Sequence, residues 1–429
     1  MARQMKDSGI EWIGEIPKSW NTDRLQWHLE EVNVSNSPVQ SENVLSLTIE
    51  AGVIPYEEKG NQGNKSKENY EEYKLAYPDT LVVNSMNVII GAVGISKYFG
   101  CVSPVYYVFR AAEGTCLRYI YYLFTNVGFQ KEMRKHAKGI LEIRLRISSS
   151  DMLKLSIPNP AYEEQQRIAA FLDRKCAEID AVIERTKATI EEYKKLKRAV
   201  VTEAVTKGVR GARNMKDSGI EWVEGIIDSW DMSRIGLHYN IVLGKMLCDK
   251  QLTEEHTLES YFCAANVHFD GVSQEQLKQM WFSPAEKVSY RVQDGDLLVV
   301  EGGAGAGGAA IVEKLEQPTY VQNSVMIVRG LMGQSNRYLR YWIECLVKKG
   351  YVDVVCNKAT IPHFTKDKLA TMPVPVIPVE EMEEIADYLD EKCAALDVLI
   401  AKKTALLTEM ETYKKSLIYE YVTGKKEVG

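Results

Sequence analysis

Two stretches of the chain carry apolar positions that recur at alternating intervals of three and four residues. In the first, Leu172, Cys176, Ile179, Ile183, Thr186, Ile190, Tyr193 and Val200 mark the steps, with Lys197 filling one. In the second, Leu389, Cys393, Leu396, Ile400, Lys403, Leu407, Met410 and Leu417 do so. Held for about four heptads, this is the a/d seam of a coiled coil. Neither stretch contains Pro or Gly. Pro158 and Pro160 precede the first, Pro373, Pro375 and Pro378 precede the second, and Gly208 and Gly424 end them, as a glycine just past a helix should. A helix from Glu163 to Thr206 would run about 66 Å at 1.5 Å per residue. Each helix has one apolar seam, so the two can bury their seams against each other. The packing residues this predicts are Leu172, Ile179, Ile183, Ile190, Leu389, Leu396, Ile400 and Leu407. An approximate twofold axis across the pair makes it antiparallel. A parallel pair would require the flanking domains side by side.

Elsewhere the pattern changes period. Short β-rich runs (VLSL, TLVVN, PVYYVF; YFCAANV, DLLVV, SVMIV) alternate with Gly and Asn turns, while RYIYYLFTN and RYLRYWIECLVKKG read as amphipathic helices. These mixed segments are two copies of one unit. MKDSGIEW at 5–12 returns unchanged at 215–222, and Ser19-Trp20 returns as Ser229-Trp230 at the same offset of 210. IAAFLDRKCAEID (168–180) aligns without gaps to IADYLDEKCAALD (385–397), offset 217, with eight of thirteen positions identical. DTLVV (79–83) faces DLLVV (296–300), and RYIYYL (118–123) faces RYLRYW (337–342). Matched ends around divergent middles indicate a constant framework holding two variable readers. The organisation expected is α+β: two mixed α/β domains separated by two long antiparallel coiled-coil helices, with an internal pseudo-twofold repeat. The segments are 1–157, 158–208 (first long helix), 209–374 and 375–429 (second long helix).

Composition narrows the classes. At 429 residues, 45% hydrophobic and 26% charged, the chain is an ordinary globular protein of two or three domains. No apolar run reaches the length of a membrane span, and MARQMKDSGIEW has no secretory apolar core. A cytoplasmic, non-membrane protein is expected. The eight Cys form no CxxC pair, which disfavours a zinc ribbon and fits reduced thiols. Cys176 and Cys393 fall on the seam, and the repeated Trp12, Trp20, Trp222 and Trp230 read as framework packing. The net charge of −6 counts mildly against a wholly basic nucleic-acid binder but leaves local patches open.

Catalytic constellations are missing: there is no HExxH, HxE…CxxC, GxSxG or GxxxxGK[ST]. EGGAGAGGAA (301–310) satisfies GxGxxG at Gly303, Gly305 and Gly308, but AAIVEK after it is β-like. A dinucleotide loop needs a helix there to hold the pyrophosphate, so a hairpin turn or a loop approaching DNA fits better. Basic clusters sit at corresponding places. Residues 131–146 carry six Lys or Arg against Glu132 and Glu142, and 348–368 carry five Lys against Asp353 and Asp367. A solvated helix face and phosphate contact both remain open. Arg144 and Arg146 would point the same way from a strand.

At this point the chain resembles the specificity subunits of type I restriction–modification enzymes. The likeness rests on MKDSGIEWIGEIPKSW and its copy MKDSGIEWVEGIIDSW, on EEQQRIAAFLDRKCAEID and EEMEEIADYLDEKCAALD, and on the tails VTEAVTKG and IYEYVTGK. Ile226-Ile227 stands where the first copy has Ile16-Pro17, a departure that touches only local turn geometry. The resemblance implies two target-recognition domains, each reading one half of a bipartite, asymmetric site in double-stranded DNA. It implies helices that act as spacer and as docking site for two methyltransferase (modification) subunits and for restriction (endonuclease/translocase) subunits. S-adenosylmethionine, ATP and Mg²⁺ would sit on those partners, and this chain would hold no cofactor, no metal and no catalytic residue. Candidate DNA contacts are Asn84, Lys138, Arg144 and Arg146 in the first body and Gly305, Asn357, Lys358 and His363 in the second. The rival reading is a coiled-coil interaction scaffold without DNA contact.

Overall fold

The computed structural model describes residues 3–59, 69–139, 145–356 and 362–428. It separates into two units, residues 1–187 with 404–429, and residues 188–403. The centre of each unit is a four-stranded antiparallel sheet. In the first unit it comprises β1 (Leu29–Glu31), β2 (Leu81–Asn84), β3 (Val93–Ile95) and β4 (Tyr106–Ala111), in the spatial order β1-β4-β2-β3. In the second it comprises β5 (Tyr239–Leu243), β6 (Leu297–Val300), β7 (Ala309–Ile311) and β8 (Val325–Gly330), in the order β5-β8-β6-β7. The two orders are the same, so the divergent middles keep one topology. The central strands LVVN and LLVV are buried on both faces, which explains their continuous apolar runs. The additions differ. In the first unit Leu45–Thr48 pairs with Gly52–Pro55 and Lys74–Ala76 with Gly100–Val102. The second has a three-stranded sheet built on Thr257–Phe262.

The amphipathic segments form α1 (Leu117–Thr125) and α3 (Asn336–Lys348). The seams form α2 (Tyr162–Lys207) and α4 (Val379–Val422), within one residue of the sequence-based start and stop for α2. Gly208 ends α2 at φ +65° and Gly424 follows α4 at φ +70°. Both lie in the left-handed region that disfavours a side chain.

Within each unit a part of α2 runs antiparallel to a part of α4. In the first unit the Phe171 and Tyr421 ring centroids are 4.4 Å apart, and Lys414 Nζ reaches Asp180 at 2.6 Å. In the second, Lys197 Nζ reaches Asp397 at 2.7 Å. Asp180 and Asp397, like Lys197 and Lys414, are repeat equivalents at offset 217, so both ion pairs are one interaction made twice. Leu172, Ile179, Ile183 and Leu389 are buried, and Ile190, Leu396, Ile400 and Leu407 are half-buried. The two-body α+β fold with paired antiparallel long helices is therefore borne out.

A duplicated polar network joins each sheet domain to the helices. Asp173 on α2 accepts from Arg118 Nε at 2.6 Å and Tyr122 Oη at 2.7 Å. Asp390 on α4 accepts from Arg337 Nε at 3.0 Å and Tyr341 Oη at 2.6 Å. Burial pulls the Arg118 guanidinium down, but its bonds to Asp173 outweigh this and its pKa is raised. Tyr119 Oη lies 3.0 Å from the Val422 carbonyl, and Tyr338 Oη donates to the Val205 carbonyl at 3.1 Å. Each tyrosine thus satisfies a carbonyl in the last turn of a long helix, where helical partners run out. Arg3 pairs with Glu164 and stacks over Trp20, and Arg213 pairs with Glu381 and stacks over Trp230. Trp20 and Trp230 are core residues, as framework packing requires.

Candidate nucleic-acid interface

In each unit the described candidate contacts lie at one end of the central sheet. In the first, Lys138 and Arg146 exchange backbone hydrogen bonds of 2.8 and 2.9 Å. The segment that follows is strapped to the end of β2 by Ile147 N donating to the Ser85 carbonyl at 3.2 Å. Tyr107 Oη donates to the Ile147 carbonyl at 3.2 Å. Lys138 is 87% exposed, with Asp151 3.9 Å away. Arg146 is exposed and makes no ion pair among the described residues. Lys135, by contrast, is committed: Glu11 and Glu132 hold its ammonium and push its pKa up to about 12. Lys135 is thus tightly held, while the Lys138 and Arg146 side chains face solvent.

Asn84 closes β2 but is buried, and its Oδ1 accepts from Met86 N at 3.0 Å, an Asx-type turn. Arg144 lies outside the described residues, as do Asn357 and Lys358.

In the second unit the glycine-rich stretch links β6 to β7 as a hairpin. Gly307 N donates to the Val300 carbonyl at 2.9 Å and Gly308 N to the Gly305 carbonyl at 2.8 Å. With β7 following, no helix N-terminus is available for a pyrophosphate, so the hairpin reading holds and the dinucleotide reading does not. Gly305 is exposed at the tip; a Cβ there would find nothing nearer than Val300 Cγ1 at 4.0 Å.

His363 bridges Gly302, and Phe364 N donates to the Glu301 carbonyl at 2.6 Å. His363 Nδ1 stands 3.5 Å from Glu301 Oε2. Glu301 N in turn donates to the Ser324 carbonyl at 2.8 Å, which brings the turn before β8 to the same place. Several lysines of the second basic cluster are engaged in packing: Lys349 Nζ donates to the Trp222 carbonyl at 2.8 Å, and Lys368 Nζ to the His363 carbonyl at 2.7 Å. Lys348 sits over Phe269, 5.1 Å from its ring centroid.

The structure thus places Asn84, Lys138 and Arg146 at one end of the first sheet, and in the second unit sets His363 against Gly302 at the base of the hairpin whose tip is Gly305. Sequence reasoning missed Glu301, Ser85, Tyr107 and Ser324. The signal for Glu301 was present, because the repeat places it opposite Asn84. Among the described residues no group of acids, His and Cys could hold a metal ion. Among the described residues no helix is long and apolar enough to cross a membrane.

Residues 31–192 match the family described as "Type I restriction modification DNA specificity domain". A chain from work on complex assembly and conformational transition of the type I R-M system is similar in fold, with TM-score 0.70 at 15% identity, covering 96% of this chain and 99% of that one. The HsdS subunit from Thermoanaerobacter tengcongensis is similar with TM-score 0.52 at 14% identity, covering 96% of this chain and 98% of its own. At such identities the likeness carries the fold, and the matched domain carries the link to DNA specificity. The resemblance drawn from the motifs is borne out, and a scaffold without DNA contact is not favoured.

Proposed function

We propose that this chain is the sequence-specificity subunit of a type I restriction–modification enzyme, with each unit reading one half of a bipartite, asymmetric DNA site. One observation carries the reading. The same sheet order and the same polar frame are built twice, while beside the ends of the equivalent central strands lie Lys138 and Arg146 in one unit and Glu301 and His363 in the other. A duplicated frame with different chemistry at equivalent edges suits two different half-sites. Exposed cations hold phosphates and position the duplex, and polar side chains at the edge read bases. Splitting the site multiplies discrimination, since each wrong base pair costs roughly 1–3 kcal/mol.

In this reading the long helices set the unread gap and dock two modification subunits and the restriction subunits. The chemistry then belongs to those partners. The modification subunits bind S-adenosylmethionine and methylate an adenine that has been flipped out of the stack, and the restriction subunits use ATP and Mg²⁺. This chain is non-catalytic and works in the cytoplasm. The acidic net charge of −6 fits a complex in which partners supply much of the phosphate contact.

The test is a methylation map. The chain is expressed with the methyltransferase encoded beside it, in a host lacking other adenine methylation, and N6-methyladenine is mapped genome-wide. The expected outcome is a split motif with a fixed gap that vanishes without this chain. A stable complex that adds no methylation would reject the reading.

A further inference from the structure

Two equivalent positions at the sheet ends differ in chemistry. At offset 217, Asn84 ends β2 and Glu301 follows the equivalent β6, and Arg146 and His363 each stand three residues before a short helix at the same offset. In the first unit the amide oxygen of buried Asn84 accepts from Met86 N. In the second the carboxylate is not consumed in this way. The Glu301 side chain is 18% exposed, and His363 Nδ1 lies 3.5 Å from its Oε2, at the long limit of a hydrogen bond. Gly302 makes room for this approach, since a Cβ there would sit 3.1 Å from His363 Nδ1. The imidazole itself is 62% exposed.

A carboxylate at a DNA-facing edge is repelled by phosphates, so it suits contact with a base donor. In the major groove the cytosine N4 amino group is such a donor, and the guanine paired with it offers N7 and O6 as acceptors. A carboxylate beside an imidazole N–H presents the complementary acceptor and donor.

We propose that Glu301 is a specificity-determining residue of the second unit, accepting a hydrogen bond from a cytosine amino group while His363 donates to the guanine of that pair. This inference rests on the specificity-subunit reading above. Neither residue belongs to the duplicated frame that joins the sheet domain to the long helices.

The experiment maps N6-methyladenine for the wild-type chain, Glu301→Gln and Glu301→Ala, each expressed with the neighbouring methyltransferase. A wild-type chain that directs no methylation removes the parent reading, and this one with it. With a wild-type motif in hand, both variants are expected to keep one half-site and the gap unchanged. In the other half they lose preference for C·G at a single position by about fivefold or more. An unchanged motif with uniformly lower methylation would mean that Glu301 only tethers the His363 segment, and would overturn the proposal. Should both variants fail to fold, His363→Ala must relax a C·G position in one half-site only; an unchanged motif there overturns the proposal equally.

Discussion

The two units differ least where they meet the long helices and most at the free end of the sheet. In one, Asp173 holds Arg118 and Tyr122; in the other, Asp390 holds Arg337 and Tyr341. At the sheet ends, exposed Lys138 and Arg146 contrast with the Glu301–His363 pair. A frame contact is constrained from both sides, because each tyrosine hydroxyl is buried and needs its acceptor. A sheet-end side chain facing solvent has no such internal constraint. Duplication followed by divergence therefore preserves the first kind of position and frees the second.

That comparison can be broken most sharply at the glycine hairpin of the second unit. Gly307 has φ +83°, and a Cβ there would lie 2.9 Å from Val352 Cγ2 and 3.0 Å from Val347 Cγ2. Gly307→Ala is expected to destabilise the second unit by about 1–3 kcal/mol, whereas Gly305→Ala, at the open tip, stays within about 0.5 kcal/mol. Urea unfolding of both variants checks this, and equal losses would contradict the packing described.

The frame itself is tested next. Asp173→Ala strands the buried Tyr122 hydroxyl and should cost about 1–3 kcal/mol. Asp390→Ala should cost somewhat less, because Arg337 keeps Glu383 at 3.0 Å and Asp387 at 2.8 Å. Thermal melts of the pair would show whether the two copies of the network are energetically matched.

The smallest effect belongs to the ion pairs between helices. Lys414→Met and Lys197→Met each remove one partly exposed pair, worth about 0.2–1 kcal/mol. The two losses should agree closely and shrink with added salt. A large asymmetry between them would argue that the helix contacts in the two units are not equivalent.

Much of the frame was legible before any coordinates. The heptad seam, the Pro and Gly boundaries and the offsets of the repeat located α2 and α4 and the equivalent strands. The repeat also retained Arg118, Tyr122 and Asp173 as Arg337, Tyr341 and Asp390, although no local pattern says that these residues touch. The candidate interface was legible only in part. Asn84 was a candidate DNA contact, but it is buried and its amide oxygen is engaged by Met86 N within the chain. Glu301 was not singled out in the sequence, and only the fold sets it beside His363, which is 62 residues away.

The sequence alone determined the periodic and the repeated: two long helices, two α+β bodies, one framework used twice. Those features are written in spacing, which local backbone geometry converts into structure. Tertiary structure decided which side chains face inward, which cations are neutralised and which distant segments share a sheet end. Those outcomes depend on contacts between residues far apart in the chain, where the intervening sequence carries no periodic signal of who will be the neighbour.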